Sequence, residues 1–585
     1  MKPHTVSLVL SNLASLAAAT CKCTPGHACW PSLEEWSRFN SSIGGQLIQS
    51  SPVAEACYSG PKDNAACQNI EKSWTDDVFQ VSQPIGYAWP LNLSCPLPTP
   101  GLDTKCSIGN SPVYVVNVTC EEDITRGIKF AQEKNLRLVV KSTGHDSQQR
   151  STGYGSLSIW LHNFRKGFRF QGHNPVLATC PKSGWKGSTL TINGGYSWRD
   201  IYPAAQKQGL IVIGGLDRGP CSTGGWTQGG GHSPGTHYFG IGADQVLSAR
   251  VVLASGKIVV ASPCENEDLF FAIRGGGGGT FGVVTEITVK TYPTKALSTI
   301  NLIVGSKGDE TVPKFLDAVA TIYSLLPGLS KKGFAGYGNW VVRALSPITA
   351  KNYTNLYGQS WTLLGATQQE AENLFQPFKE EIVKHQSENG LEVTVSSGTF
   401  RDYFSYYYSM GNGTDSAVGG VSALASRLLD TEALQGNRKD LRKFLDSITQ
   451  GSAVYHTLIH HGLEAAADVK ADPTSAVLPG WYKSILLDEF EIPMNTTDVD
   501  AYAGSFEYLR NELVPLYESL SPDTGTYMNE ADWGNMNWKK DFFGSHWDRL
   551  LKVKTRYDPE GFFYCPKCVG SDDWVENKGG SLCRA

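Results

Sequence analysis

Charge is scarce in this chain. Only 18% of its 585 residues are Asp, Glu, Lys or Arg, and 51 basic against 56 acidic side chains leave a formal net charge of −5. No basic stripe is present, so the electrostatic footprint of a nucleic-acid binder is missing. Long apolar runs are missing too. VSLVL followed by LASLAAA, near the start, is too short and too interrupted by Ser and Asn to span a bilayer, and no later stretch is long enough. Metal signatures are incomplete. Cys565-Pro-Lys-Cys568 has no second pair at zinc-ribbon spacing and reads as a disulfide. His456 and His460 have i, i+4 spacing but lack the glutamate directly after the first histidine that a metalloprotease needs. No metal and no membrane span are expected.

What is present at the N-terminus reads as an export signal. Lys2, a short apolar core and the small residues Ala17 to Thr20 describe a signal peptide over residues 1–20. All fourteen cysteines follow it, and Cys21, Cys23, Cys29, Cys57, Cys67, Cys95 and Cys106 crowd a segment over 21–106. That crowding predicts disulfides in an oxidising compartment, with connectivity left open. Sequons at Asn40, Asn92, Asn117, Asn352, Asn412 and Asn495 agree with a secreted or secretory-lumen glycoprotein. The length predicts two to four structural units.

The stretch Val139 to Gly155, VVKSTGHDSQQRSTGYG, organises the rest. The strand LRLVVK runs into a loop of small residues whose backbone N–H groups can face a phosphate. A helix precedes it, with Thr119 and Glu122 as its capping box and Ile124, Ile128 and Ala131 on one face. VYVVNV precedes the helix as a strand. Two further glycine clusters follow, GGWTQGGGHSPGTHYFGIGAD and RGGGGGTFGVVTEITVK. Three such junctions imply close approach to a ligand, because glycine carries an entropic cost elsewhere.

KSTGHDSQQRSTGYGSLSIWLHN resembles the pyrophosphate loop of the vanillyl-alcohol oxidase and berberine-bridge-enzyme-like flavoproteins, in particular the fungal FAD-linked oxidoreductases. GGGHSPGTHYFGIGADQVLSARVV and FFAIRGGGGGTFGVVTEITVKTYP resemble that family's second and third FAD segments. NWKKDFFGSHWDRLLKVKTRYDPEGFFYCPKCVGSDDW is similar to its closing berberine-bridge segment. The resemblance implies an α+β fold: a PCMH-type FAD-binding domain, over 107–295, split around a central substrate domain, over 296–500, with an antiparallel sheet and helices. Residues 501–585 would complete the FAD site.

Local patterns fill in this frame. SLSIWL and LTINGGYSWRDIY suggest strands and a helix start, and QVLSARVVLASGKIVVAS reads as a hairpin turning at Ala-Ser-Gly. GNWVVRAL and QSWTLLG read as strands. Gln368 to Gln386 reads as a helix burying Ala371, Leu374, Phe375, Phe378, Ile382 and Val383. The tyrosine cluster of RDYFSYYYSMG is either a substrate wall or a packed strand edge.

The resemblance assigns roles. Ser142, Thr143, Gly144 and Asp146 would line the pyrophosphate cradle, and His145 would bond covalently to the 8α-methyl carbon of FAD. Gly230, Gly231, His232 and Asp244 fall in the second segment, while Gly282, Val283 and Val284 would run beside the flavin ring. His237 is expected to be structural. The family's second tether is a cysteine. Its fungal position falls at Asp217 and its plant position at Gly224, with Cys221 out of register, so a single bond through His145 is expected. The family's Tyr-x-Asn-Tyr becomes Tyr527-Met528-Asn529-Glu530 here, which puts Glu530 forward as general base, with Tyr527 or a tyrosine of 403–408 as alternatives. The implied function is oxidation of a small organic molecule, an alcohol or C–H bond of a secondary metabolite, with dioxygen as acceptor. Two rivals stand beside it: a carbohydrate oxidase of the same fold, and a flavin-bearing cyclase or binding glycoprotein without net redox turnover.

Overall fold

The computed structural model describes residues 21–58, 64–86, 94–98, 104–345, 351–386, 390–410, 418, 421–451, 453–494, 499–577 and 579–585. The expected leader and the sequons at Asn92, Asn412 and Asn495 lie outside them. Three main sheets carry the architecture. The first has four strands in the order Leu47–Gln49, Tyr114–Asn117, Leu157–Trp160, Leu138–Lys141, and the last three run parallel. Helix Glu121–Glu133 makes the crossover and buries Ile124, Ile128 and Ala131. Its cap lies one residue later than expected. Asp123, not Glu122, accepts the N–H groups of Thr119 at 2.9 Å and Cys120 at 3.1 Å. The shorter carboxylate at the third helical position reaches back to both.

The second sheet is antiparallel, in the order Arg165–Gln171, Thr189–Gly194, Val283–Lys290, Val246–Val252, Ile258–Ala261. The expected hairpin joins its last two strands. Its inner residues, among them Leu190, Ile192, Val251 and Ile287, share one core with helix Trp198–Lys207.

The third sheet has seven antiparallel strands, ordered Glu392–Phe400, Leu297–Ser306, Asn355–Leu364, Ala335–Val341, Tyr455–His460, Leu486–Met494, Val421–Leu429. Helices Val312–Lys331, Gln368–Val383 and Arg438–Ile448 cover one face through Phe315, Phe375, Leu441 and their neighbours. Period-two alternation then decides what each strand presents. On Leu486–Met494, Phe490 and Ile492 enter that core, while Glu489 and Glu491 point the other way, into a cavity.

His456 and His460 lie on a strand rather than a helix, which sets residues four apart at about 13 Å. Each is spoken for: His456 pairs with Asp488 at 3.0 Å, and His460 contacts Ser330 at 2.7 Å and Trp361 at 2.9 Å. The tyrosine cluster also differs from both readings of it. Tyr403–Met410 is a helix whose Tyr403, Tyr406 and Tyr407 are buried, and none of them lines the cavity.

Six disulfides are formed: Cys21–Cys583, Cys23–Cys29, Cys57–Cys67, Cys95–Cys106, Cys180–Cys264 and Cys565–Cys568. Cys120 and Cys221 are free thiols. Among the described residues no helix is long and apolar enough to cross a membrane.

Candidate functional site

A cavity of about 680 Å³ lies between the glycine-rich loops and the open face of the seven-stranded sheet, within the usual range for small-molecule and cofactor sites. One part of its lining is rich in glycine and small polar residues. It comes from Ser142 to Asp146, Gly215 to Asp217, Gly224 to Trp226, and Gly278, Gly279 and Gly282. Two glycines show why that residue is used. A Cβ on Gly225 would meet no protein atom within 4 Å, so a side chain there would take up cavity space. Gly282 has φ +151°, and a Cβ on it would stand 2.7 Å from both Val251 and the Val252 carbonyl. The buried Lys554 fixes this region from below, with Nζ donating at 2.7 Å to the carbonyls of Thr280 and Phe563 and to Asp558.

His145 lines the cavity with about a quarter of its side chain open. Its Nε2 lies 3.5 Å from Asp217 Oδ2. Burial by itself would lower the imidazole, but the Asp217 carboxylate, then those of Asp77 and Glu530, outweigh it and raise the group to about 9. Asp217 is held in turn, its Oδ1 accepting the Gly219 N–H at 2.8 Å. Asp77 pairs with Arg199 at 2.5 Å.

Other lining residues carry acid–base groups, and their segment touches the glycine loops where Asn529 Nδ2 donates to the Gly225 carbonyl at 3.0 Å. His232 Nε2 is 3.0 and 3.1 Å from the two Glu530 oxygens, and its Nδ1 is 2.7 Å from the Tyr337 hydroxyl. With Glu530 ionised, Nε2–H donates to it and Nδ1 accepts from Tyr337. Burial, then the Glu530 charge, holds the Tyr337 phenol well above its usual range. Burial and then Glu530 also raise Tyr527, whose oxygen accepts from Asn529 Nδ2 at 2.7 Å. Glu489 is raised well above an ordinary carboxyl by burial, followed by Glu530, Glu491 and Asp488. Burial raises Glu491 as well.

Of the residues singled out in the sequence, Ser142, Thr143, Gly144, His145, Asp146, His232, Gly282, Val284, Tyr527 and Glu530 all border this one cavity. Asp146 also serves the loop itself, accepting the N–H groups of Gln148 at 3.0 Å and Ser151 at 2.7 Å. Four others lie behind the wall. Gly230 and Gly231 receive hydrogen bonds from Ala243 and Gly242 at 2.8 and 2.7 Å. Asp244 is buried under the hydroxyl of Tyr482 at 2.7 Å. Val283 alternates away from Val284 into the core of the parallel sheet. His237 packs away from the cavity, with Nδ1 at 3.1 Å from the His461 carbonyl. Cys221 is a buried thiol on the cavity wall, 3.4 Å from Thr223 Oγ1. Asn352 is exposed, whereas the Asn117 amide donates to Gln46 at 2.9 Å and Asn40 accepts from Leu47 at 3.0 Å. Sequence reasoning missed Tyr337, Glu489 and Glu491. Their only signal is alternation on a strand, which cannot say which face meets the cavity.

Comparison with known proteins agrees with this geometry. Residues 112–262 match the FAD binding domain family, and residues 526–570 match the berberine and berberine-like family. FAD-linked oxidoreductase hmp9 of Hypomyces subiculosus is 38% identical over 97% of this chain and 91% of its own. The crystal structure of the VAO-type flavoprotein MtVAO713 from Myceliophthora thermophila C1 superposes with a TM-score of 0.90, at 36% identity over 97% of this chain and 100% of that one. A glucooligosaccharide oxidase from Acremonium strictum, which carries a 6-S-cysteinyl, 8α-N1-histidyl FAD, shares the fold at TM-score 0.61 and 19% identity, covering 79% of this chain and 92% of its own. The α+β fold is thus that of FAD-binding flavoproteins of the vanillyl-alcohol oxidase type. The chain belongs to the FAD-linked oxidoreductases of the vanillyl-alcohol oxidase and berberine-bridge family.

Proposed function

We propose that the protein is a secreted flavoprotein oxidase that oxidises an alcohol or a C–H bond of a small secondary metabolite and passes the electrons to dioxygen. The observation that carries this reading is that the glycine-rich loops and the Tyr337–His232–Glu530 chain line a single cavity. FAD, when bound, supplies the two-electron hydride acceptor. The lining from Ser142 to Asp146 and from Gly224 to Trp226 fits its pyrophosphate, since glycine and small polar residues leave room for close approach. His145 is its single tether. Glu530 takes the substrate proton as general base, while the His232 contact at 3.0 Å keeps that carboxylate aimed. Tyr527 is buried and stays a neutral phenol, so it orients the substrate rather than deprotonating it.

We assign residues 107–295 and 501–585 to the FAD unit and 296–500 to the substrate unit. Residues 1–20 are read as a leader, and the six disulfides suit an oxidising compartment. Exposed Asn352 is the best placed of the described sequons. A carbohydrate oxidase remains the second reading, favoured by Glu489, Glu491 and Thr457 on the sheet wall, which suit hydroxyl groups. Purified protein should be yellow and lose its visible flavin band anaerobically with substrate. Screening small aromatic alcohols against oligosaccharides, with hydrogen peroxide release as readout, separates the two readings. A colourless folded protein that takes up no FAD overturns both.

A further inference from the structure

The geometry points to Asp217 as the positioning residue that prepares His145 for bond formation with FAD. This rests on the reading above that His145 is the tether. Asp217 contacts the Nε2 end of the imidazole. Its Oδ2 is 3.5 Å from His145 Nε2, while Nδ1 has no hydrogen-bond partner among the described residues. A carboxylate there accepts the Nε2 proton and leaves the lone pair on Nδ1, in a ring that lines the cavity.

The chemistry balances as follows. His145 Nδ1 forms a bond to the 8α carbon of FAD, one C–H bond of the 8α-methyl group breaks, and the Nε2–H proton leaves toward Asp217. The two electrons released enter the flavin ring and pass to dioxygen, which leaves with the two protons as hydrogen peroxide. Positive charge grows on the imidazole as Nδ1 reacts, and a neighbouring carboxylate offsets it, as in other histidine–aspartate pairs. The same carboxylate, with Asp77 and Glu530 behind it, holds the free imidazole at about 9. The reacting neutral form therefore grows as pH rises toward that value.

Asp217→Asn is the direct test. The amide oxygen can keep the bond to the Gly219 N–H, 2.8 Å in the parent, so the loop is preserved. Its NH2 then faces Nε2, makes that nitrogen the acceptor and puts the proton on Nδ1, the wrong tautomer for attack. Wild type, Asp217→Asn, Asp217→Glu and His145→Ala are purified as holoproteins, precipitated in acid and scored for flavin left on the chain by absorbance and intact mass. We expect full retention in wild type and none in His145→Ala. Asp217→Asn should bind FAD yet link it at least tenfold more slowly in air, with no gain between pH 7 and 9, and Asp217→Glu should recover most of the linkage. Equal retention in Asp217→Asn and wild type, or no recovery in Asp217→Glu, overturns the role of Asp217 and leaves the tether standing. Release of flavin from wild type overturns the tether itself, and the inference with it.

Discussion

Glu530 and Glu489 are both carboxyls on one cavity, yet their surroundings separate them. Glu530 is held by His232 Nε2 at 3.0 Å. Glu489 has no such partner among the described residues on the cavity, and burial, then the Glu530 charge, pushes its carboxyl well above the usual range. Replacing Glu530 by Gln should therefore lower kcat by about 10²–10⁴-fold, the range for loss of a general base, while FAD content stays at the wild-type level. A steady-state assay beside a flavin spectrum checks both; an unchanged kcat removes Glu530 as the base. Glu489 gives a stability prediction of definite sign. Its folded-state pKa lies above the unfolded one, so its share of stability is full below the ordinary carboxyl range and is lost as pH rises through the raised value. Glu489→Gln, which cannot ionise, should flatten that loss. Denaturation midpoints at pH 5 and pH 8 should differ less in the variant than in wild type.

Elements show where the sequence was readable and where it was not. The parallel strands, their crossover helix and the hairpin at Gly256 follow local rules, and these were read correctly within a residue or two. The capping box shifted from Thr119 and Glu122 to Cys120 and Asp123, because two adjacent acids both satisfy the pattern and only backbone geometry selects one. The run 403–408 reads either as a substrate wall or as a packed strand edge, but it folds as a helix off the cavity whose Tyr407 hydroxyl donates to the Leu216 carbonyl at 2.7 Å. Tertiary contact overrides weak propensity. Glu489 was invisible for a different reason: its partner Glu530 belongs to another segment, and nothing local joins them. The Lys554 clamp tests the element scale. Lys554→Met would leave Asp558 buried beside carbonyls that lose their donor. Removing one partner of a buried pair costs about 3–5 kcal/mol. A chemical denaturation curve should show a loss of that size, and a loss under about 1 kcal/mol would mean the clamp is dispensable.

At the scale of the whole molecule, the chain closes on itself. Cys21 and Cys583 are joined across 562 residues, and the Lys22 N–H donates to the Leu582 carbonyl at 2.7 Å beside them. The returning C-terminal segment brings Tyr527 and Glu530 to one part of the cavity and Phe563 and Tyr564 to another. Arg137, buried under the parallel sheet, sits 5.2 Å from the Tyr564 ring and pairs with Glu576 at 2.9 Å. The closing disulfide therefore ties the two chain ends together without lining the site. Replacing both cysteines by serine frees the two ends but touches no cavity residue. Loss of such a link costs about 2–5 kcal/mol, mainly by enlarging the unfolded ensemble. The double variant should unfold at lower denaturant while its flavin spectrum and its rate at 25 °C stay at wild-type values. If the spectrum shifts as well, the ends do more than hold the unfolded chain together: they shape the folded cavity, and the berberine-like segment depends on its anchor at Cys21.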